Sequence, residues 1–86
     1  MEKPLIVFLD TETTGLTDTD RLVQISYKVW KTNETGTELF KPPEGVEIAF
    51  EATAVHHITR KMVADKPAFQ SSEIKKRLEE LFAQGA

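Results

Sequence analysis

The sequence contains no cysteine, and its 86 residues include only 4 glycines, 4 prolines and 1 tryptophan. The absence of cysteine excludes a disulfide framework and a thiolate zinc site, and it suits a reducing cytosol. Because 40% of the residues are hydrophobic and 29% are charged, the composition excludes a low-complexity or disordered chain. We therefore expect one small cytoplasmic domain over residues 1–86 and no second domain, close to the lower size limit for a self-sufficient core.

The sequence also lacks an excess of positive charge and a long apolar segment. Its formal net charge of -3 argues against a broad basic surface that binds nucleic acid by charge alone. It does not exclude a nucleic-acid enzyme whose phosphate contacts run through metal ions. The apolar run Leu5–Leu9 ends at Asp10 and is too short for a signal-peptide core or a membrane span. We expect a soluble protein with no membrane partner.

The first half of the sequence predicts strands. Leu5–Leu9 is continuously apolar, which is typical of a strand buried on both faces, and Thr11–Asp20 is typical of a loop. Arg21–Trp30 alternates apolar and polar residues and predicts a second strand. After a turn at Thr32–Gly36, Thr37–Lys41 predicts a third. Connections this short favour a three-stranded antiparallel meander.

The second half predicts helices after a turn at Pro42–Gly45. Ala49–Ile58 fits a short helix, and Thr59 can cap a further turn. Ser71 or Ser72 begins the last helix, which Gly85 ends. The spacing of its apolar residues predicts one buried face made of Ile74, Leu78, Leu81 and Phe82. On its outer surface we expect two i,i+4 ion pairs, Glu73 with Arg77 and Lys75 with Glu79.

Two acidic residues, Asp10 and Glu12, follow the first strand. If the extended conformation continues, their side chains point to the same side, with Cα atoms about 6.5 Å apart. Two close carboxylates repel each other unless a cation lies between them, and Mg²⁺ or Mn²⁺ prefers such oxygen ligands. An isolated Asp-x-Glu is usually a solvated loop feature, but this one lies between an apolar strand and a Thr-Thr-Gly turn. There Gly15 permits a positive φ, and backbone N–H groups of Thr13 and Thr14 could hold a nucleotide end.

Two stretches resemble a known family. Phe8–Leu16, "FLDTETTGL", followed by "RLVQIS", resembles the first motif of the DnaQ-like (DEDD) 3′–5′ exonucleases, the family of polymerase proofreading subunits. Ala52–Phe69 is similar to the segment in which that family has Val/Ile-His-Gly-Ile-Thr before a helix and a Pro-x-Phe. The resemblance covers essentially the whole chain. It implies an α/β, ribonuclease H-like exonuclease fold, of which this chain is the N-terminal portion.

The resemblance also implies roles for individual residues. Asp10 corresponds to the carboxylate that bridges two metal ions, Mg²⁺ or Mn²⁺, and Glu12 to the ligand of the ion that activates the nucleophile. These two residues are the expected catalytic and metal-binding residues. The residues expected near the 3′-terminal nucleotide are Thr13, Thr14, Leu16 and His56. His57 stands where the family usually has glycine.

Part of the family pattern does not occur in this sequence. There is no His-Asn-x-x-Phe-Asp and no later His-x-x-x-x-Asp, so two further acidic ligands and the family's general base are missing. The acidic residues that follow Phe69 belong to the last helix: Glu73, Glu79 and Glu80. One amphipathic helix can cover only one face of Leu5–Leu9, and the meander leaves one edge of that strand without a partner. We therefore expect an incomplete fold that is loosely packed, or that self-associates through Leu5–Leu9 or binds a chain supplying the second half.

These observations favour a metal-dependent 3′–5′ exonuclease that hydrolyses terminal phosphodiesters of DNA or RNA. Its partner would be a nucleic-acid 3′ end, and this chain alone would be inactive. The alternative is a non-catalytic fragment of the same fold that binds nucleic acid or docks a partner. A third interpretation, an unrelated phosphotransferase or nuclease of the same fold class, explains the Asp-x-Glu pair but not the His56 segment.

Overall fold

The computed structural model of the protein describes residues 5–15 and 20–86. Three strands and four helical segments occur within those residues. They are β1 (Val7–Thr13), β2 (Leu22–Val29), β3 (Thr35–Leu39), α1 (Phe50–His56), α2 (Arg60–Val63), a 3₁₀ helix (Phe69–Ser71) and α3 (Glu73–Ala83). Among the helices described there, none has the length and apolar character needed to span a membrane.

The sheet is the predicted antiparallel meander. Its order is β1-β2-β3, so β1 lies at an edge of the described sheet. The β1–β2 register runs from Val7 opposite Val29 to Thr13 opposite Leu22, with an irregularity between Glu12 and Thr13. An irregularity of this kind disrupts the hydrogen-bond ladder locally, and here it falls directly after the carboxylate pair.

The strands differ from prediction at their ends. β1 continues through Thr13, so Thr11–Thr13 is strand rather than loop. Pairing with β2 explains the extension, because Thr11 lies opposite Ile25 and Glu12 opposite Gln24. β3 begins at Thr35, before the predicted turn is complete. Gly36 lies opposite Tyr27 in this strand, where a Cβ would come within 2.4 Å of the tyrosine ring.

One face of the sheet is covered by α3. A buried cluster joins β2 and the residue that follows β3 to the predicted apolar side of this helix: Ile25, Val29, Phe40, Ile74, Leu78 and Leu81. Phe82 was predicted on the same side but is 51% exposed. A second, smaller cluster joins Val23 to Ile58 and Val63 and holds α2 against the sheet.

The apolar run before the carboxylates is not buried on both faces. Val7 packs against the α3 cluster, but Phe8 is 59% exposed and Leu9 is 49% exposed. The expectation of two-sided burial is therefore wrong for this chain, whereas the expectation that one helix covers only one face is met. We call the side that bears Phe8, Asp10 and Glu12 the open face of the sheet, because successive side chains of a strand alternate.

The helix ends follow the capping rules. Ser72, not Ser71, caps α3: its Oγ accepts from the Lys75 N–H at 3.3 Å and donates to the Phe69 carbonyl at 2.7 Å. Glu38 of β3 adds a second cap, since its Oε1 accepts from the Ile74 N–H at 2.9 Å. An anionic group is favourable at a helix N-terminus. Thr59 caps α2 as predicted, and Gly85 follows α3 with a φ of 107°.

One predicted ion pair forms and the other is replaced. Lys75 and Glu79 pair at 2.9 Å. Arg77 pairs with Glu34, in the β2–β3 connection, rather than with Glu73: its Nη2 lies 2.6 Å from Glu34 Oε1. This contact fastens the connection to α3, and a helix pattern could not predict it because the two residues are 43 positions apart.

Candidate functional site

The carboxylate pair lies on the open face of β1. Asp10 is opposite Ser26 and Glu12 is opposite Gln24, while the intervening Thr11 faces the α3 side with Ile25. Because the strand stays extended through this segment, both carboxylates project to the same side, as predicted. Asp10 is exposed and Glu12 is half-buried.

The donor chemistry of the pair fits a hard divalent cation. Carboxylate oxygens are the ligands that Mg²⁺ and Mn²⁺ take in proteins. Within residues 5–15 and 20–86, no group of three or more His, Cys, Asp or Glu side chains is placed to hold a metal ion. The pair therefore suits the expected ions in kind, but Asp10 and Glu12 make only part of a coordination shell.

Thr14 is wholly buried beside the pair, and its polar groups bond within the protein. Its hydroxyl donates to Asp20 Oδ1 at 2.6 Å and accepts from the Arg21 N–H at 2.9 Å. Its own N–H donates to the Arg21 carbonyl at 2.8 Å, and its carbonyl accepts from the Ala49 N–H at 2.7 Å. The expectation that the Thr14 N–H holds a nucleotide end is therefore wrong. Thr14 joins β1, the start of β2 and the start of α1.

Gly15 is needed for a different reason from the predicted one. The glycines with positive φ in the described residues are Gly45 and Gly85, so Gly15 does not use that freedom. A Cβ on Gly15 would lie 2.6 Å from Asp20 Oδ2. The absent side chain thus makes room for the carboxylate that holds Thr14, and the turn is closed further by the Thr13 hydroxyl, which donates to the Gly15 carbonyl at 2.7 Å.

The His56 ring reaches the same turn from the end of α1. Its Nε2 lies 3.0 Å from the Thr13 carbonyl oxygen, and its Nδ1 accepts from the Ile58 N–H at 3.0 Å. The sequence pattern predicted His56 near the substrate but could not predict its contact with Thr13, since the two residues are 43 positions apart.

The neighbouring His57 adopts the left-handed conformation, with φ 60° and ψ 16°, and ends α1. Its N–H donates to the Thr53 carbonyl at 2.7 Å. This conformation favours glycine, which has no Cβ to clash. The left-handed backbone at His57 therefore explains why the family that the sequence resembles usually has glycine at this position.

A cleft of about 610 Å³ lies between the end of β1 and α1. Its lining includes the predicted site residues Glu12, Thr13 and His56, and also the acidic Glu51 and the apolar Ala52 and Val55 of α1. The cleft thus brings together three of the predicted site residues. Asp10 and Thr14 do not line it, and Leu16 lies outside the described residues.

Comparison with known proteins shows the family to which the chain belongs. A family model described as "Exonuclease", of the RNase T type, matches residues 7–86. The chain belongs to this exonuclease family. The family resemblance inferred from the two sequence motifs is thereby confirmed, although the proofreading-subunit type is not tested.

The exonuclease-family fold is also found by structural comparison. The chain is similar to a solved structure of "Exonuclease X in complex with 5′ overhanging duplex DNA", with a TM-score of 0.62 and 29% sequence identity. The similarity covers 81% of this chain and 42% of that one, so this exonuclease-family chain spans less than half of the Exonuclease X chain. The three-stranded sheet with its helices is therefore a part of the ribonuclease H-like exonuclease fold. No curated protein matches the chain.

Proposed function

We propose that this chain supplies half of the metal site and the nucleotide-end cleft of a 3′–5′ exonuclease acting on DNA or RNA. The observation that carries the proposal is the placement of Asp10 and Glu12 on one face of β1, with Glu12 lining a cleft beside Thr13 and His56. Family membership and the likeness to a DNA-bound exonuclease support it.

In the proposed mechanism Asp10 and Glu12 would hold Mg²⁺ or Mn²⁺. When bound, such ions polarise a phosphate oxygen and make water a better nucleophile near neutral pH. The chain's own residues position the substrate. Ala52 and Val55 offer apolar surface for a base or sugar, and the carboxylate of Glu12, which lines the same cleft, repels a phosphate unless a cation lies between them.

We propose that this chain alone binds but does not cleave. Two carboxylates, Asp10 and Glu12, are too few ligands to hold the two metal ions that together stabilise the attacking and the leaving oxygen. The remaining ligands and a general base would come from a longer chain or from a partner chain. A cytoplasmic location, inferred from the absence of cysteine, belongs to the same proposal.

The experiment that tests this function measures binding and cleavage separately. A short single strand with a 5′ fluorophore and a free 3′ hydroxyl is titrated with the chain, with Mn²⁺ or with EDTA, and followed by anisotropy. We expect Mn²⁺-dependent binding that is lost in Glu12→Gln and weakened by a 3′ phosphate, without product on a gel. Binding that is equal in EDTA, or equal in Glu12→Gln, would reject the proposal. Asp65→Asn, which changes an exposed carboxylate after α2, is the matched control.

The exposed apolar residues favour a second candidate function. Phe8 and Leu9 lie exposed on an edge strand, which is suited to docking another strand. In that case the chain would be a non-catalytic docking module. Two results together would favour this candidate over the exonuclease: oligonucleotide binding that is unchanged when Asp10 or Glu12 is substituted, and formation of a stable complex through β1.

A further inference from the structure

Both ring nitrogens of His56 are engaged by main-chain groups of the protein. Nδ1 bonds the Ile58 N–H and Nε2 bonds the Thr13 carbonyl, each at 3.0 Å. We propose that His56 is a positioning residue that fixes the backbone directly after Glu12, rather than a ligand of the substrate. Its effect on metal binding rests on the proposed function, whereas its effect on the backbone does not.

The hydrogen bonds define the state of the ring. The Ile58 N–H can only donate, so Nδ1 must accept and carry no hydrogen. The ring hydrogen therefore lies on Nε2, which donates to the Thr13 carbonyl. With one nitrogen accepting and the other donating, the neutral ring has no further polar atom for a phosphate or a base.

The Thr13 carbonyl directly follows an irregularity in the pairing of β1 with β2. The β1–β2 register changes between Glu12 and Thr13, and β1 has β2 as its partner on one side only among the described strands. A disrupted ladder at an edge leaves the strand end less constrained. The His56 contact supplies a constraint there, one residue beyond a carboxylate that the proposed function assigns to the metal.

Both ends of α1 are tied to the same short segment. The Ala49 N–H, at the start of the helix, donates to the Thr14 carbonyl at 2.7 Å, and His56, its last residue, reaches the Thr13 carbonyl. The left-handed turn at His57 is followed by Ile58, whose N–H completes the ring contacts. The helix is therefore a brace across the end of β1, and it forms one wall of the cleft.

Two substitutions separate the two ring contacts. The amide nitrogen of glutamine reaches about as far as Nε2, so His56→Gln keeps the bond to Thr13 and loses the acceptor for Ile58. The side-chain oxygen of asparagine lies near the position of Nδ1, so His56→Asn keeps the acceptor and loses Thr13. His57→Asn is the matched control, because it changes the adjacent histidine and asparagine tolerates the left-handed conformation.

The readouts are the backbone amide shifts of Glu12, Thr13 and Thr14, and the affinity for Mn²⁺ by calorimetry. We expect His56→Asn to move these shifts and to lower the affinity by about two- to tenfold, the range set by one hydrogen bond. We expect His56→Gln and His57→Asn to stay within twofold of the unsubstituted chain. Equal effects of the Gln and Asn variants, or an unchanged Mn²⁺ affinity in His56→Asn, would overturn the positioning role.

The design distinguishes this inference from the proposed function. If the unsubstituted chain binds no Mn²⁺, the proposed metal site fails, while the amide shifts still decide whether His56 holds the backbone at Thr13. If a variant does not fold, the long-range proton–nitrogen spectrum of the unsubstituted chain decides. A hydrogen on Nε2 supports the assignment, and a hydrogen on Nδ1 in the neutral ring contradicts it.

Discussion

The Arg77 guanidinium of α3 donates two hydrogen bonds to the Glu34 carboxylate, from Nε to Oε2 at 2.7 Å and from Nη2 to Oε1 at 2.6 Å. The hydroxyl of Tyr27 donates to the same carboxylate at 2.7 Å. The hydrogen bonds from Arg77, and then that from Tyr27, lower the pKa of Glu34 from 4.5 to about 2. Burial raises the pKa of Tyr27, and its bond to Glu34 raises it further.

This pKa predicts how stability depends on pH. Between pH 4.5 and about 2, the unfolded chain binds a proton at Glu34 that the folded chain does not. Stability therefore rises with pH across this window, and the contribution of the pair is lost as pH falls through the folded pKa. Urea unfolding measured at several pH values from 2 to 7 should show a steeper decline below pH 4.5 in the unsubstituted chain than in Glu34→Gln. Glu79→Gln, which changes a more exposed carboxylate in an ion pair, should keep the steeper decline.

Thr14 should be intolerant of losing its hydroxyl. Thr14→Val keeps the shape but removes the hydrogen bonds that the hydroxyl makes with Asp20 Oδ1 and the Arg21 N–H. We expect a loss of about 1–3 kcal/mol in the free energy of unfolding, because two part-buried hydrogen bonds are removed at a wholly buried residue. Thr14→Ser, which retains the hydroxyl, should recover most of it. A Thr14→Val chain as stable as the original in urea would contradict the bonding described.

His57→Gly should stabilise the protein. The residue has φ 60°, where glycine avoids the steric cost that a side chain carries, although glycine also gains entropy in the unfolded chain. We expect a net gain of up to about 1 kcal/mol. His57→Ala should not share this gain, because alanine keeps the Cβ. Thermal unfolding of the two variants side by side checks the prediction, and equal melting temperatures would count against it.

The exposed apolar residues of β1 should cause self-association. Phe8 is 59% exposed on an edge strand, so light scattering should report an apparent mass that rises with concentration. Phe8→Lys should reduce this rise. Phe50→Lys is the control, because Phe50 is 86% exposed on α1 and not on the sheet. A concentration-independent monomer of the unsubstituted chain would refute the expectation.

Local patterns predicted much of this fold. The i,i+2 spacing placed Asp10 and Glu12 on one side of a strand, and the spacing of Ile74, Leu78 and Leu81 predicted the buried side of α3. The cap by Thr59 also followed from sequence, because such bonds join residues close in the chain. The side on which a residue lies in a strand or helix, and the capping of a helix, depend on residues that are close in the sequence.

The contacts that sequence did not predict are long-range ones. Arg77 forms its ion pair with Glu34 rather than with Glu73, and His56 bonds to Thr13. In both cases tertiary packing brings distant segments of the chain together. The role of Gly15 was also not predicted, although Asp20 is close to it in the chain: the missing side chain leaves room for the Asp20 carboxylate and does not serve a positive φ. The prediction that the first strand is buried on both faces was wrong. The apolar run Leu5–Leu9 shows that the strand is hydrophobic, but its exposure depends on which elements pack against it.

The central claim is that Asp10 and Glu12 bind a divalent cation, and calorimetric titration with Mn²⁺ tests it most directly. The account predicts saturable binding by the unsubstituted chain and by Asp65→Asn. It predicts loss of that binding, by at least about tenfold in affinity, in Asp10→Asn and in Glu12→Gln, because each removes a charged ligand. Binding that is unchanged in both of these variants, with each still folded, would contradict the account.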